Sequence, residues 1–270
     1  MGIRLVAFDL DGVLYRGKEV VPGAREGVQA VLDHGLQLQY VTNNATLHRS
    51  AIAARLDSMG FPATPEQVLG SAAATAAWLR GHIPAGSPVL AVGEPGLIQE
   101  LSQAGFHAMH VRDAPEDGVA AAIVVGLDRS LTYDTLAVAQ HHILHGALFV
   151  ATNTDATFPA EGRLLPGGGA VVAAVATAAG VEPVVIGKPE PGMAEALRTL
   201  SGLSYEDMLF VGDRLDTDIA FGAAVGMRTL FVLSGVHGRH DIESFGVEPD
   251  FILESLAGLS RLLDELVSKP

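Results

Sequence analysis

The sequence has no cysteine. Disulfides, thiolate zinc sites and cysteine nucleophiles are therefore excluded. One Trp (Trp78) and four Tyr are too few for a large aromatic cage around a ligand. Basic residues are in the minority, 17 against 31 acidic ones, which leaves a formal net charge of −14. That balance argues against a nucleic-acid or anionic-membrane partner, since either needs a basic surface. A small phosphate ester stays open, because it responds to the local field of a metal and a few donors. No stretch approaches the ~20 uninterrupted apolar residues of a membrane span. The apolar part of the opening MGIRLVAFDLDG is too short for a secretory signal, so the cytoplasm is the expected location.

What the chain does have is length and apolar content. Its 270 residues exceed a usual single domain, so two domains, or one with a large insertion, are expected. With 49% hydrophobic and 18% charged residues it can bury a full core. Short β-rich runs near 4–10, 36–43, 88–93, 120–126, 147–152, 183–188, 208–213 and 228–233 read as strands. Between them lie helical patterns at 24–34, 45–59, 66–80, 133–145, 169–179, 191–201 and 216–225. This alternation predicts βαβ units and an α/β fold with a mostly parallel sheet. The runs VVIG and LFVG are continuously apolar, as strands covered on both faces are. The glycine cluster LPGGGA at 165–170 reads as a turn into a helix.

In open parallel sheets, sites form at the carboxyl ends of strands. Four apolar runs end in sharply polar residues: Asp9-Leu10-Asp11-Gly12, Thr42-Asn43-Asn44, Gly187-Lys188-Pro189, and Gly212-Asp213 continuing to Asp216 and Asp218. A common sheet would bring them together. Asp9 and Asp11, two apart in extended chain, share one side while Leu10 points into the core. Two adjacent carboxylates share a proton or need a cation. Asp213 and Asp218 complete an all-oxygen set that suits a hard cation, Mg2+ first. Gly12 frees the turn so that backbone N–H groups can approach a ligand. Taken singly, each piece is ordinary. Asp-x-Asp usually caps a loop or helix, Gly-Lys-Pro is usually a turn, and Thr-Asn-Asn before a helix is usually an N-cap. Their joint order carries the argument.

In that order the residues resemble the haloacid dehalogenase (HAD) superfamily, and more closely its class IIA phosphatases. These include p-nitrophenyl-phosphatase-like enzymes, the ribonucleotide phosphatase of the N-acetylglucosamine operon type, and pyridoxal phosphatase. FDLDGVLYRG resembles the family's first motif, VTNNAT its second, VIGKP its third and GDRLDTDI its fourth. The resemblance implies a Rossmann-like parallel-sheet core with a large inserted α/β cap. It makes Asp9 the covalent nucleophile and Asp11 the general acid and base. Gly12, Thr42, Asn43 and Asn44 would hold the phosphoryl group, and Lys188 would neutralise nucleophile and phosphate. Asp9, Asp11 (through its carbonyl), Asp213 and Asp218 would surround Mg2+, Asp218 directly or through water. Asp216 matches no family position and reads as a helix N-terminal charge.

The stretch between Asn43 and Lys188 exceeds one sheet connection. The expected division is therefore 1–80 with 183–270 as the core and 81–182 as the cap. Thr152-Asn153-Thr154-Asp155 resembles the family's TNxD stretch, with Thr154 in place of the usual proline, so Asn153 and Asp155 are candidate substrate-facing cap residues. Gly167, Gly168 and Gly169 resemble a family helix start and carry no dinucleotide fingerprint. His141, His142 and His145 lack the glutamate of a zinc helix and read as a solvated helix end. His237, His240, Tyr15 and Arg16 sit in loops near the expected site. The expected partner is a small phosphorylated metabolite, with a homodimer left open. The competing readings are a dehalogenase or phosphoryl-transferring mutase of the same superfamily, and a non-catalytic module that binds Mg2+ and phosphate. Asp11 and Asp213 argue against dehalogenation, which needs neither the acid nor the metal. An intact nucleophile argues against mere binding.

Overall fold

Strand Leu5–Phe8 is buried at every position, and so is Met208–Gly212. In the computed structural model, which describes residues 2–115, 118–160 and 163–267, these two strands pair in parallel at the centre of a six-stranded sheet. The order is Phe251–Leu253, Arg228–Val232, Met208–Gly212, Leu5–Phe8, Gln37–Thr42, Val68–Gly70. The first five run parallel. Alternate side chains pass to opposite faces. On one face Val6, Phe8, Leu209 and Val211 join Val28, Tyr40, Leu56, Leu259 and Leu263. Helix Ala24–Asp33 reaches this cluster through Val28 and Val31, and helix Leu259–Leu266 through Leu259 and Leu263, the spacing of one helical face. Strand residue Phe210 instead meets Phe221 edge-on, with ring centroids 4.9 Å apart. Truncating a core phenylalanine such as Phe8 or Phe210 to alanine should cost about 3–5 kcal/mol.

Contacts divide the chain into two units: Met1–Thr42, Ile52–Leu69 and Lys188–Pro270 in one, Asn43–Ala51 and Gly70–Gly187 in the other. The second unit has its own sheet, ordered Val184–Val185, Leu148–Ala151, Ala122–Val125, Pro88–Val92, His107–His110, all parallel. Ile123, Val125, Phe149 and Ala151 pack with Ala139, Ile143, Val172 and Val175 from helices Tyr133–Leu144 and Gly168–Ala179. Thr132 caps the first of these, its hydroxyl accepting from the Thr135 N–H. Gly180, at φ 66°, ends the second. Thr157–Ala160 and Arg163–Pro166 form a separate antiparallel pair. No helix among the described residues is long and apolar enough to cross a membrane.

All eight expected strands form, trimmed at their ends. Three further points depart from expectation. The helical pattern at 66–80 is a turn Pro65–Gln67, a strand Val68–Gly70 and a helix Ser71–Arg80; periodicity alone cannot separate so short an apolar strand from a helix. The strand before Lys188 does not join the sheet that carries Asp9. Val184 pairs with Val150 in the second sheet, so only three of the four strand ends share one sheet. A two-residue strand has no pattern that names its partner. Finally, 43–51, 70–80 and 183–187 group with the second unit rather than following the 80/81 and 182/183 divisions. For 43–51 the ties are visible: the Arg49 guanidinium donates to the buried Glu100 carboxylate, and His48 Nε2 meets Gln103 Oε1 at 2.9 Å.

Candidate active site

Three neighbouring strands of the first sheet end in Asp9, Thr42 and Asp213. The Asp9 N–H donates to the Val211 carbonyl at 2.9 Å, which extends the ladder and sets the direction of its side chain. Lys188 Nζ, deeply buried, donates to Asp9 Oδ1 at 2.6 Å and to Asp218 Oδ1 at 2.7 Å. The other Asp218 oxygen accepts from the backbone N–H groups of Asp213 and Arg214, both at 3.2 Å. Asp218 sits in a π-helical turn, Leu215–Ile219, whose wide pitch is frequent at functional sites.

Carboxylate oxygens of Asp9, Asp213 and Asp218 lie within 4.8 Å of one another. Burial lifts the Asp9 pKa well above the ordinary range, and the charges of Asp218 and Asp213 add to this while Lys188 opposes it. Asp213 is pushed up to about 7 by burial and then by Asp218, against the Val236 N–H and Lys188. Burial favours neutral Lys188, but Asp218 and Asp9 outweigh it and hold the ammonium above its ordinary pKa. Asp213 is wholly buried. Its Oδ2 accepts from the Val236 N–H at 2.7 Å, whereas its buried Oδ1 has no hydrogen-bond partner. Such an orphaned acceptor costs about 1–3 kcal/mol in an ordinary core. An unpartnered oxygen within a trio of carboxylates is the donor set of a hard divalent cation. The residues fit such an ion.

Asp11 is exposed and stands outside that trio. The protein packed around it still removes part of its water and raises its pKa, while Arg55 and Lys188 pull the other way. The Gly12 N–H donates to the Tyr15 carbonyl at 2.8 Å, closing the loop after Asp11. Tyr15 is buried in the main apolar cluster, with the Arg55 guanidinium 4.4 Å above its ring. It is a core residue rather than a loop residue, and Arg16 is exposed.

In the second unit, the residues after Thr42 form a network of their own. Asn43 Nδ2 donates to both oxygens of Asp155 at 3.2 Å. The Asn43 carbonyl accepts from Asn153 Nδ2 at 2.8 Å and from Ser71 Oγ at 2.7 Å. Asn153 in turn accepts from the Asp155 N–H at 3.1 Å. Asn44 Oδ1 is engaged locally, accepting from the Thr46 N–H at 2.8 Å and its hydroxyl at 2.7 Å. The glycine triplet serves this network: a Cβ on Gly167 or Gly169 would overlap the backbone of Asp155 or Thr154. Asn153 and Asp155 therefore hold Asn43 in place, a role that sequence reasoning did not supply.

A family profile described as haloacid dehalogenase-like hydrolase matches residues 6–107, and a second, described as HAD-hydrolase-like, matches 185–259. The acid sugar phosphatase of Staphylococcus aureus strain USA300 is 38% identical over 249 residues, 92% of this chain and 93% of that one. The chain belongs to the haloacid dehalogenase-like hydrolases. Within them it falls with the class IIA phosphatases. The p-nitrophenyl phosphatase from Archaeoglobus fulgidus superposes with a TM-score of 0.88 at 32% identity, covering 97% of this chain and 100% of that one. A glycerol phosphate phosphatase from Mycobacterium tuberculosis, solved in complex with magnesium, gives 0.86 at 36% identity, covering 100% and 80%. A calcium complex of that enzyme gives 0.85. The named relatives are phosphatases, so the enzyme reading stands over the dehalogenase, mutase and binding-module alternatives.

Other residues of this HAD phosphatase have structural roles. His142 is buried, against the expected solvated helix end, and its Nδ1 accepts from the Ala120 N–H at 3.2 Å. His141 and His145 stack with centroids 4.2 Å apart, and no zinc-like trio forms among the described residues. Asp216 forms a two-pronged pair with Arg214. His237 Nδ1 accepts from the Leu215 N–H at 3.0 Å, and its ring lies against Phe245. His240 is exposed beside Asp241. The contacts missed from sequence are Ser71 on Asn43 and Val236 on Asp213. Both act through a small hydroxyl or the backbone, which leaves no motif to find.

Proposed function

We propose that this phosphatase hydrolyses small phosphomonoesters through an aspartyl-phosphate on Asp9, with Mg2+ held by Asp9 and Asp213. The observation that carries the reading is the Lys188 ammonium bound to both Asp9 and Asp218 beside the unpartnered Asp213 Oδ1. Asp218 has both oxygens engaged, so its part is to orient Lys188 and the turn after Asp213. By the family resemblance the Asp11 carbonyl completes the protein donors. Mg2+ bound there would offset the charge of the carboxylates and of the phosphoryl oxygens, so that one anion can approach another.

An Asp9 carboxylate oxygen attacks phosphorus and the bond to the ester oxygen breaks. Asp11, in its acid form, protonates the departing alkoxide. Asp11, now a carboxylate, takes a proton from water. The resulting hydroxide attacks phosphorus, the Asp9–phosphorus bond breaks, and inorganic phosphate leaves. Lys188 keeps Asp9 aimed and balances the charge that builds on the phosphoryl oxygens. Thr42, Asn43 and the N–H groups near Gly12 are the expected phosphate donors. By the family resemblance the second unit corresponds to the cap, whose expected part is to exclude water. The named relatives act on sugar and glycerol phosphates and on p-nitrophenyl phosphate, which supports a small polyol or sugar phosphate as substrate.

The test is a rapid acid quench with substrate labelled in the phosphoryl group. Label should appear on the wild-type protein and be released by hydroxylamine, as an acyl phosphate is. Absence of label from wild type at every quench time, together with undiminished turnover by Asp9→Asn, would remove the covalent mechanism.

A further inference from the structure

We infer that the loop Ser234–Val236 restricts Asp213 to one ligand oxygen and thereby favours a small divalent cation over a larger one; this rests on the metal-dependent reading above. The loop follows strand Arg228–Val232 and is tied to both acidic turns of the site. The Val236 N–H donates to Asp213 Oδ2 at 2.7 Å, and the His237 N–H donates to the Asp213 carbonyl at 3.3 Å. Ser234 Oγ donates to the Gly12 carbonyl at 2.9 Å, beside Asp9 and Asp11. The Leu215 N–H closes the other side by donating to His237 Nδ1 at 3.0 Å.

Two glycines permit this approach. A Cβ on Gly12 or on Gly235 would overlap the Asp213 carboxylate, and Gly12 has a φ of 89°, which side chains other than glycine rarely adopt. Both glycines come closest to the same oxygen, Oδ2. The two oxygens are therefore unequal. Oδ2 faces an N–H donor and both glycines, whereas Oδ1 is buried with no partner.

That inequality has a consequence for the ion. Ca2+ takes six to eight oxygens and often draws both from one carboxylate, while Mg2+ takes near-octahedral single oxygens at shorter distance. A carboxylate whose second oxygen is held by a short N–H bond offers one oxygen only. Ca2+ loses more by this than Mg2+ does. Hydrogen bonds from outside the ligand set tune a metal site in this way, here from the backbone of an uncharged loop.

The experiment titrates Mg2+ and Ca2+ into metal-free wild type, Gly235→Ala and Ser234→Ala, reading apparent dissociation constants from thermal stabilisation. Wild type should prefer Mg2+. Gly235→Ala should weaken Mg2+ binding by about 10- to 100-fold and narrow the preference over Ca2+. Ser234→Ala should move both in the same direction by less. In metal-free wild type the Val236 amide should exchange slowly with solvent, and this reading decides the matter even where Gly235→Ala does not fold. A fast-exchanging Val236 amide, or a folded Gly235→Ala with the wild-type ion preference, overturns the inference while wild-type Mg2+ binding leaves the mechanism standing. Wild type that binds neither ion yet releases phosphate overturns the metal reading and the loop's role with it.

Discussion

Each unit of the molecule holds buried acidic residues, and two of them, one from each unit, are treated in opposite ways. Asp128 in the second unit is fully partnered: His110 Nε2 donates to Oδ2 at 2.8 Å, and Oδ1 accepts from the Ser130 N–H at 2.8 Å and its hydroxyl at 2.6 Å. Burial alone would raise its pKa, but the bonds from Ser130 and His110 outweigh burial and lower it. Asp213 in the first unit has one oxygen bonded, the other orphaned, and a pKa pushed up to about 7. Buried polar groups in proteins are normally satisfied. A deficit concentrated on one carboxylate, next to two more, marks the place where the chain is built for something it does not itself supply.

The comparison breaks most visibly in catalysis. Asp9→Asn should lower kcat by about 10³-fold or more in a variant that still folds cooperatively, because the covalent step disappears. A variant that kept a tenth of wild-type kcat, with deamidation ruled out by mass spectrometry, would end the nucleophile assignment. Chelation should abolish phosphate release and added Mg2+ should restore it, with Ca2+ a poor substitute. Full turnover in excess chelator would contradict this. Lys188→Ala should reduce kcat/KM for every substrate by a similar factor, about 10²-fold, since the phosphoryl group is the one part of the substrate it is expected to meet. Asn153→Ala and Asp155→Ala should also act evenly across a substrate panel, by about tenfold, if their bonds to Asn43 are their main part in turnover. A reshuffled preference order would return them to substrate choice.

The smallest effects sharpen the contrast through stability. In metal-free protein, Asp213→Asn should raise the melting temperature by about 2–4 °C, since removing one charge from an over-acidic trio is worth roughly 1 kcal/mol. Asp128→Asn should do the reverse and cost about 1–3 kcal/mol by breaking a satisfied pair. The Asp128 pKa is depressed on folding, so its contribution is complete above the ordinary value of 3.8 and fades as pH falls through the lower folded value. The gap in melting temperature between wild type and Asp128→Asn should shrink as pH falls below about 4. Melting scans of the two variants across pH decide both points. Shifts of the same sign at neutral pH would dissolve the contrast.

Much of this is legible in the sequence. The apolar run LFVG announced a central strand covered on both faces, and Met208–Gly212 is buried throughout; the run VVIG did not, because Val184–Val185 is an edge strand with Val184 exposed. The order of Asp9, Thr42, Lys188 and Asp213 along the chain sufficed to point to the family and its chemistry. The lack of cysteine removed thiolate sulfur from the possible donors, and the carboxylates at the strand ends made oxygen the expected one. These are local or compositional properties, and each residue carries its share of the signal.

Tertiary structure decided the rest. It placed the strand before Lys188 in the second sheet, buried Tyr15 and His142, and turned Asn153 and Asp155 toward Asn43. It also chose which oxygen of Asp213 is held and which is left without a partner. Pairing across more than a hundred residues, as between Asn43 and Asp155, depends on chain packing and leaves no periodicity at either end. A backbone N–H such as that of Val236 is present at every position except proline, so only packing can single it out.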